Sequence, residues 1–162
     1  MAEKEIKAVR FLGRVVNDHM IDPNRSFMTT IEKDEKDPKF QAVLKAGTYG
    51  QRADLTAFGP EDFTYWYGVA VPAWQPIPQG VMRYDLPAAK VFELEMQADL
   101  SYFQLPLNYT IPDFLAKAKK TGAVFPDNLG YSETPFVLRK LALKTKKMTC
   151  ILYLQASDVE QN

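Results

Sequence analysis

The clearest pattern in the chain is a strand-like alternation from Asp62 to Val71, with the sequence DFTYWYGVAV. Successive side chains of an extended strand point to opposite faces, so alternate residues share a face. On one face Trp66 stands beside Gly68 and Ala70, which leave room for a flat apolar ligand, and we predict a binding groove there. The alternative is that Trp66 packs under a helix or loop. The opposite face is predicted to join the core through Phe63, Tyr65, Tyr67, Val69 and Val71.

The first half of the chain predicts the order strand, helix, strand, strand. The predicted strands are Ile6 to Val16, the aromatic strand, and Gly80 to Asp85. A helix is predicted from Pro38 to Ala46, because Asp37 is a good N-cap and proline is favoured at the first helical position. The charge run within Thr30 to Lys39 indicates a solvated helix end or loop. The residues between the helix and the aromatic strand are predicted to form a loop.

The second half predicts the same order of elements. A strand from Ala88 to Met96 precedes a helix from Ile111 to Lys120, which we expect Thr110 to cap. Strands from Phe136 to Leu141 and from Met148 to Leu154 complete this half.

The repeated order predicts an α+β fold of two fused strand-helix-strand-strand modules, residues 6–85 and 88–154. Each helix is too short to form alone, and each sheet face needs a cover, so the modules are expected to fold together. We predict a single domain over residues 1–162, with pseudo-twofold antiparallel sheets and the ligand groove where the sheets or their helices meet.

Composition narrows the classes of function. Twenty basic residues balance twenty acidic ones, so no strong positive field is available to hold nucleic acid, and direct DNA binding is not expected. No apolar stretch approaches the roughly 18 to 20 residues that cross a bilayer, so a membrane protein is not expected either. The single cysteine, Cys150, lies in an apolar strand, and the N-terminus lacks the apolar core of a signal peptide. We therefore expect a cytoplasmic protein.

Three short features carry a resemblance to a known family. The aromatic strand ends in Gly68 to Val71, a turn follows at Pro78 to Gly80, and Leu86 to Ala88 leads into the next strand. In order and spacing, these features resemble the GyrI-like (gyrase-inhibitor-like) effector-binding domains. These bacterial domains occur in multidrug-responsive regulators of the MerR and AraC types and as single-domain proteins. The resemblance spans Ala8 to Leu154, and it implies the GyrI-like fold and recognition of a small molecule.

The chain departs from this family at one functional position. Family members carry a buried Glu in a strand that follows a proline, where it is implicated in binding cationic drugs or, in relatives of cyclopropanoid hydrolases, in handling water. After Pro135 the corresponding positions here are Val137 or Leu138. The resemblance therefore implies a preference for neutral aromatic ligands and no hydrolysis. Glu133 either reaches into the groove in place of the missing carboxylate or is a solvated turn residue.

Other reactive residues suggest no cofactor. One cysteine and one histidine cannot supply a common metal-ligand set, and His19 is expected in a surface loop without a nucleophilic partner. Glu93 and Glu95 share a strand face and could act as an acid and base pair in a cleft, but exposure to solvent is the favoured interpretation.

Aromatic residues in or beside loops are predicted to flank the groove, because clustered exposed aromatics mark binding sites. Together with the strand residues and the two positions near Pro135, they give a predicted ligand-binding set. The set is Trp66, Tyr65, Tyr67, Trp74, Tyr84, Phe103, Tyr109, Tyr131, Glu133 and Val137.

These observations predict a stand-alone domain that binds an aromatic or amphipathic small molecule and serves transcriptional regulation or a multidrug or toxin response. It would act by itself, with a protein partner, or as a homodimer. Two alternatives stay open. A hydrolase of reactive small molecules would need a carboxylate beside the ligand, and an inhibitor of a larger target such as gyrase would need an extended acidic surface.

Overall fold

The structure is a computed structural model that describes residues 2–17, 20–47 and 49–157, so the predicted loop position of His19 lies outside the described residues. The described part contains eight strands and three α-helices. The strands are β1 (Ala2–Ile6), β2 (Val9–Val16), β3 (Gln51–Phe58), β4 (Phe63–Pro72), β5 (Met82–Leu86), β6 (Ala89–Gln97), β7 (Phe136–Ala142) and β8 (Lys147–Ala156). The helices are α1 (Met28–Lys36), α2 (Gln41–Ala46) and α3 (Leu107–Lys120), with 3-10 turns at Pro38–Phe40, Leu100–Gln104 and Leu129–Tyr131.

All eight strands form one antiparallel sheet in the order β1-β6-β8-β7-β3-β4-β2-β5. Strands β3 and β7 pair at the centre and join the first half of the chain to the second, with Leu55 opposite Leu138. The order strand, helix, strand, strand occurs in residues 9–72 and again in residues 89–156. One further strand precedes each half and pairs with a strand of the opposite half: β1 pairs with β6, and β5 pairs with β2. The predicted α+β class is confirmed, whereas pseudo-twofold symmetry stays a prediction.

The sheet curls into a half-barrel. Three strands separate β5 from β7, so in a flat sheet they would lie about 19 Å apart. Nevertheless the rings of Tyr84 and Phe136 meet edge to face with their centroids 5.7 Å apart. This contact requires curvature toward the side on which they lie, which we call the inner face. Its buried residues are Phe11, Ala53, Leu55, Ala57, Trp66, Ala70, Leu86, Ala89, Val91, Phe136, Leu138, Ile151 and Tyr153.

The helices cover the opposite, outer face of the sheet. Phe27 stacks on Tyr65 with ring centroids 4.2 Å apart, and Phe40 stacks on Tyr67 at 5.7 Å. The core-facing side predicted for the aromatic strand is therefore correct, except that Phe63 at the strand end is partly exposed.

The loop predicted before the aromatic strand is wrong, because β3 lies there at the centre of the sheet. In this strand Arg52, Asp54 and Thr56 alternate with apolar residues, a pattern typical of a strand with one side in water. Here the polar side is buried too. Its charges are compensated inside the protein, which sequence alone does not reveal.

Three further boundaries differ from the prediction. The first predicted strand is two strands, β1 and β2. The charge run is helix α1, whose polar residue Asp34 is buried together with Ile31. Helix α3 begins after Pro106, one turn before the predicted start. Thr110 is therefore not its cap, and Pro112 lies inside the helix, where it is tolerated with the loss of one backbone hydrogen bond.

None of the helices in the described residues has both the length and the apolar character that crossing a membrane requires.

Candidate functional site

A buried ion pair links the two halves of the sheet. Asp54 on β3 lies opposite Arg139 on β7, and their side chains are 1% and 2% exposed. Arg139 Nε donates to Asp54 Oδ1 at 2.8 Å, and a second guanidinium nitrogen donates to Oδ2. Tyr65 Oη donates to Oδ2 at 2.7 Å, and Arg139 Nη1 donates to Thr110 Oγ1 at 3.0 Å. Three strands and helix α3 therefore share one hydrogen-bond network.

The network has no net charge, because the positive charge of Arg139 balances the negative charge of Asp54. Burial alone would lower the pKa of Arg139, but the charge of Asp54 raises it. Burial, followed by the charge of Asp54, raises the pKa of Tyr65, which keeps its hydroxyl protonated as a donor. The guanidinium also lies over the rings of Tyr102 and Phe103, at 5.4 and 5.7 Å from their centroids. Arg139 thus stabilises both a carboxylate and an aromatic group.

A second carboxylate is held in the same way between α1 and the sheet. Glu35 accepts hydrogen bonds from Arg52 Nε and Tyr67 Oη, both at 2.8 Å. Burial, followed by the charge of Glu35, raises the pKa of Tyr67. Tyr65 therefore donates to the buried Asp54 and Tyr67 to the partly exposed Glu35. This explains why the core side of β4 contains tyrosines, because phenylalanines would remove one hydrogen bond from each carboxylate.

The main apolar cleft opens between the start of α3, the loop before α1 and the hairpin of β3 and β4. Its volume is about 440 Å³, and six of its nine lining residues are apolar. Thr56 contributes to the lining from β3, with Tyr65 opposite it on β4 and Val137 opposite it on β7. We call this the α3 cleft. Its lining residues are Ile21, Arg25, Thr56, Phe58, Phe63, Leu107, Asn108, Ile111 and Pro112.

The α3 cleft lies beside the buried ion pair. Thr56 and Asp54 are two residues apart on β3 and so point to the same side of the sheet. On helix α3, Thr110 accepts from Arg139 while the next residue, Ile111, lines the cleft. A ligand there would meet apolar walls next to a polar network that is already satisfied.

A second cleft of about 490 Å³ lies between β2 and α1 and has a different character. Arg14 crosses it, with ion-pair distances of 2.9 Å to Asp34 and 2.8 Å to Asp37. Burial raises the pKa of Asp34, and its Oδ2 has no hydrogen-bond partner within the part of the chain that the structure describes. This charged lining, which also includes Lys33, suits an apolar aromatic ligand less well than the α3 cleft does.

The predicted binding residues do not gather in one place. Four of them, Tyr65, Tyr67, Phe103 and Val137, are buried under the helices on the outer face. Four others are exposed to solvent, namely Trp74 (79%), Tyr109 (67%), Tyr131 (72%) and Glu133. The exposure of Glu133 agrees with its interpretation as a turn residue.

The remaining two predicted residues, Trp66 and Tyr84, meet on the inner face, edge to face at 5.7 Å. Trp66 is 7% exposed, and in the described part of the chain its Nε1 and the hydroxyl of nearby Tyr153 are buried without a hydrogen-bond partner. The space beside Gly68, which the sequence suggested was free for a ligand, is filled by the backbone of Leu12 on β2.

The prediction missed Asp54, Arg139, Glu35 and Arg52. One signal was present, because Arg139 follows the apolar run Phe136 to Leu138 at a position that alternation assigns to the core. A core-facing arginine requires a buried acceptor, and such a partner could have been sought. Val137, one of two candidates for the family's carboxylate position, is buried on the outer face, and Leu138 is buried on the inner face.

We expect the Cys150 thiol to be unreactive in the folded protein. It is buried on β8 opposite Arg139, and burial raises the pKa of its thiol to about 11. At pH 8 only about one molecule in a thousand would carry the reactive thiolate. Ellman's reagent should therefore detect almost no thiol in native buffer and one thiol per chain in 6 M guanidinium. Stoichiometric labelling of the native protein within the mixing time would contradict this prediction.

Among the described residues, no cluster of three or more histidine, cysteine, aspartate or glutamate side chains is placed to hold a metal ion.

Comparisons with known proteins support the fold rather than a close relationship. No known family profile matches the sequence, and no curated protein matches it. Among solved structures, the chain is similar to SAV2435 bound to tetraphenylphosphonium, with a TM-score of 0.56 and 8% sequence identity. That alignment covers 97% of this chain and 93% of the other. At this identity, the two chains share a fold.

Proposed function

We propose that the protein is a GyrI-like small-molecule-binding domain whose ligand is apolar and aromatic and occupies the α3 cleft. The observation that carries this proposal is the cleft itself, an apolar space of about 440 Å³ on the helix-covered side of the sheet. Ligand pockets of drug-sized molecules have volumes of about 300 to 1,000 Å³ and mostly apolar linings with few polar groups. The shared fold with SAV2435 bound to tetraphenylphosphonium supports it.

The lining offers suitable contacts for an aromatic ring. Phe58 and Phe63 lie 6.4 Å apart with their rings tilted by 48°, which leaves a face and an edge for a third ring. Ile111 contributes aliphatic surface, and Thr56 and Asn108 contribute the few polar groups that orient a ligand.

The geometry favours binding over hydrolysis. Asp54, the buried carboxylate beside the cleft, accepts hydrogen bonds from Arg139 and Tyr65 on its two oxygens. A carboxylate held in this way has little capacity left to activate water. We therefore propose an effector-binding role, in transcriptional regulation or in a multidrug or toxin response, exerted alone, as a homodimer or through a partner protein.

The inner face is the second location proposed for the ligand. Trp66 and Tyr84 already meet edge to face there, and among the described residues Trp66 Nε1 and Tyr153 Oη find no partner. A flat molecule that carries hydrogen-bond acceptors would satisfy both atoms if the curl opened.

Filling the α3 cleft should abolish ligand binding. Asn108 is exposed and lines the cleft from the first turn of α3, so Asn108→Trp should occupy the cleft without disturbing the core. With the wild type, N-phenyl-1-naphthylamine at about 100 times its Kd should raise Tm by roughly 5 to 10 °C. With Asn108→Trp, we expect no measurable shift by calorimetry.

Lys120→Trp is the matched control, because Lys120 is exposed at the far end of the same helix. It should keep the full ligand-induced shift. Binding that survives Asn108→Trp but is lost in Trp66→Phe would move the site to the inner face. No shift with this dye or with a panel of aromatic compounds would refute the proposed function.

A further inference from the structure

The α3 cleft carries a positive charge as well as an apolar lining. Arg25 is the only ionisable residue among the nine lining residues. It is exposed, and within the described residues it forms no ion pair. We propose that the cleft selects anionic aromatic molecules, such as aryl carboxylates or sulfonates, over aromatic cations. This inference rests on the proposed function, and it names the chemical class of the ligand.

None of the described acidic residues lines the cleft, and two acidic groups near its lining residues are engaged elsewhere. Asp22 on the loop before α1 accepts a hydrogen bond from the Thr29 backbone N–H at 3.1 Å and one from Ser26 Oγ at 3.4 Å. These hydrogen bonds lower the pKa of Asp22, so it stays ionised in its own turn and does not line the cleft. Asp54 is neutralised by Arg139. No carboxylate is therefore left in the lining to attract a cation.

The loop holds Arg25 at the cleft in a defined conformation. Its backbone N–H donates to the Asp22 carbonyl at 2.9 Å, and its carbonyl accepts from Leu107 N–H at the start of α3. Asn24 Oδ1 accepts from Ser26 Oγ at 2.7 Å, which braces the turn. This network fixes the position of Arg25 relative to the helix that forms the opposite wall.

Arg25 adopts an unfavourable backbone conformation. Its φ is 67°, in the left-handed region that favours glycine. A long side chain at such a position is uncommon, and strain of this kind points to a functional role for the side chain. A need for the charge of Arg25 would explain why this position carries arginine and not glycine.

The start of α3 reinforces the same preference. Leu107 and Asn108, in its first turn, line the cleft. That turn contains no acidic residue, and no side chain caps it. The partial positive charge of the helix end is therefore not offset by an acidic side chain of this turn, and it adds to the field of Arg25.

A pair of ions that are equal in shape and opposite in charge tests the inference. Tetraphenylborate and tetraphenylphosphonium should be titrated into the full chain by calorimetry at low salt. We expect tetraphenylborate to bind wild type roughly tenfold more tightly, as one nearby opposite charge at partial exposure predicts. Arg25→Gln should reduce this ratio toward one by weakening borate binding and strengthening phosphonium binding.

Arg83→Gln is the matched control, because it removes the same charge from the exposed edge strand β5 and should leave the ratio unchanged. Arg25→Gly provides a second test. It relieves the backbone strain, so it should fold at least as well as wild type and still lose the preference. A ratio of one or below in wild type, with both ions bound, overturns the anion preference and leaves the proposed function standing. Failure of both ions to bind overturns the anion preference alone if N-phenyl-1-naphthylamine still binds, and overturns the two together if the dye and the aromatic panel fail as well.

Discussion

An Arg139→Met variant is expected to lose about 3 to 5 kcal/mol of unfolding free energy, because it leaves Asp54 charged and unpaired in the core. Both side chains are almost completely buried, and each is held by hydrogen bonds from two directions. Since the pair joins β3 to β7, its loss weakens the junction between the two halves of the sheet. Urea denaturation followed by circular dichroism measures the change as a shift of the midpoint.

Two further variants separate the buried pair from an ordinary surface pair. Lys147→Met breaks an ion pair with Glu95 whose side chains are about half exposed, and it should cost less than about 1 kcal/mol. The double variant Asp54→Leu with Arg139→Met removes both charges and should recover part of the loss, because an apolar pair needs no counter-charge although the buried Tyr65 hydroxyl loses its acceptor. A loss below about 1 kcal/mol for Arg139→Met would contradict the proposed role of the pair.

Much of the fold could be predicted from local patterns. The alternation in β4 assigned Tyr65 and Tyr67 to the core and Trp66 to the other face, as the structure has them. The strands of the second half were placed within about two residues of their ends, since alternation of apolar residues is strong there. Both successes come from segments whose burial follows hydrophobicity.

The errors occur where burial does not follow hydrophobicity. Strand β3 was missed because Arg52, Asp54 and Thr56 look like a polar face, although each is buried. Their partners Glu35 and Arg139 lie 17 and 85 residues away, so no local window contains them. A helix in the charge run of α1 was not predicted for the same reason.

The candidate site could be predicted only in outline. The sequence predicted a groove where two sheets or their helices meet, whereas the strands form one sheet and the α3 cleft lies between one helix, a loop and a hairpin of that sheet. Its walls come from three segments far apart in the chain, and Arg25 reaches it only because its loop pairs with the start of α3. Such a meeting of distant segments depends on tertiary packing, which residue patterns do not encode locally.

Gly68→Ala should be among the most damaging single substitutions outside the ion pair, with an expected loss of at least about 3 kcal/mol. Gly68 on β4 faces Gly13 on β2, and an added Cβ would overlap the carbonyl oxygen of Leu12. The obstacle is backbone, and β4 is paired on both sides, so neither strand can shift without breaking a ladder. Urea denaturation compared with wild type measures the loss.

Gly80→Ala tests whether this loss arises from the close approach of the strands or from the replacement of any glycine. Gly80 has a φ of 80° and open space around its missing side chain, so alanine there adds only the left-handed strain of about 1 to 2 kcal/mol. Equal losses at the two positions would mean that the approach of β2 to β4 contributes little. A much larger loss at Gly68 would show that the glycine is needed for the close approach of β2 to β4, because the two strands can lie this close only where neither carries a side chain.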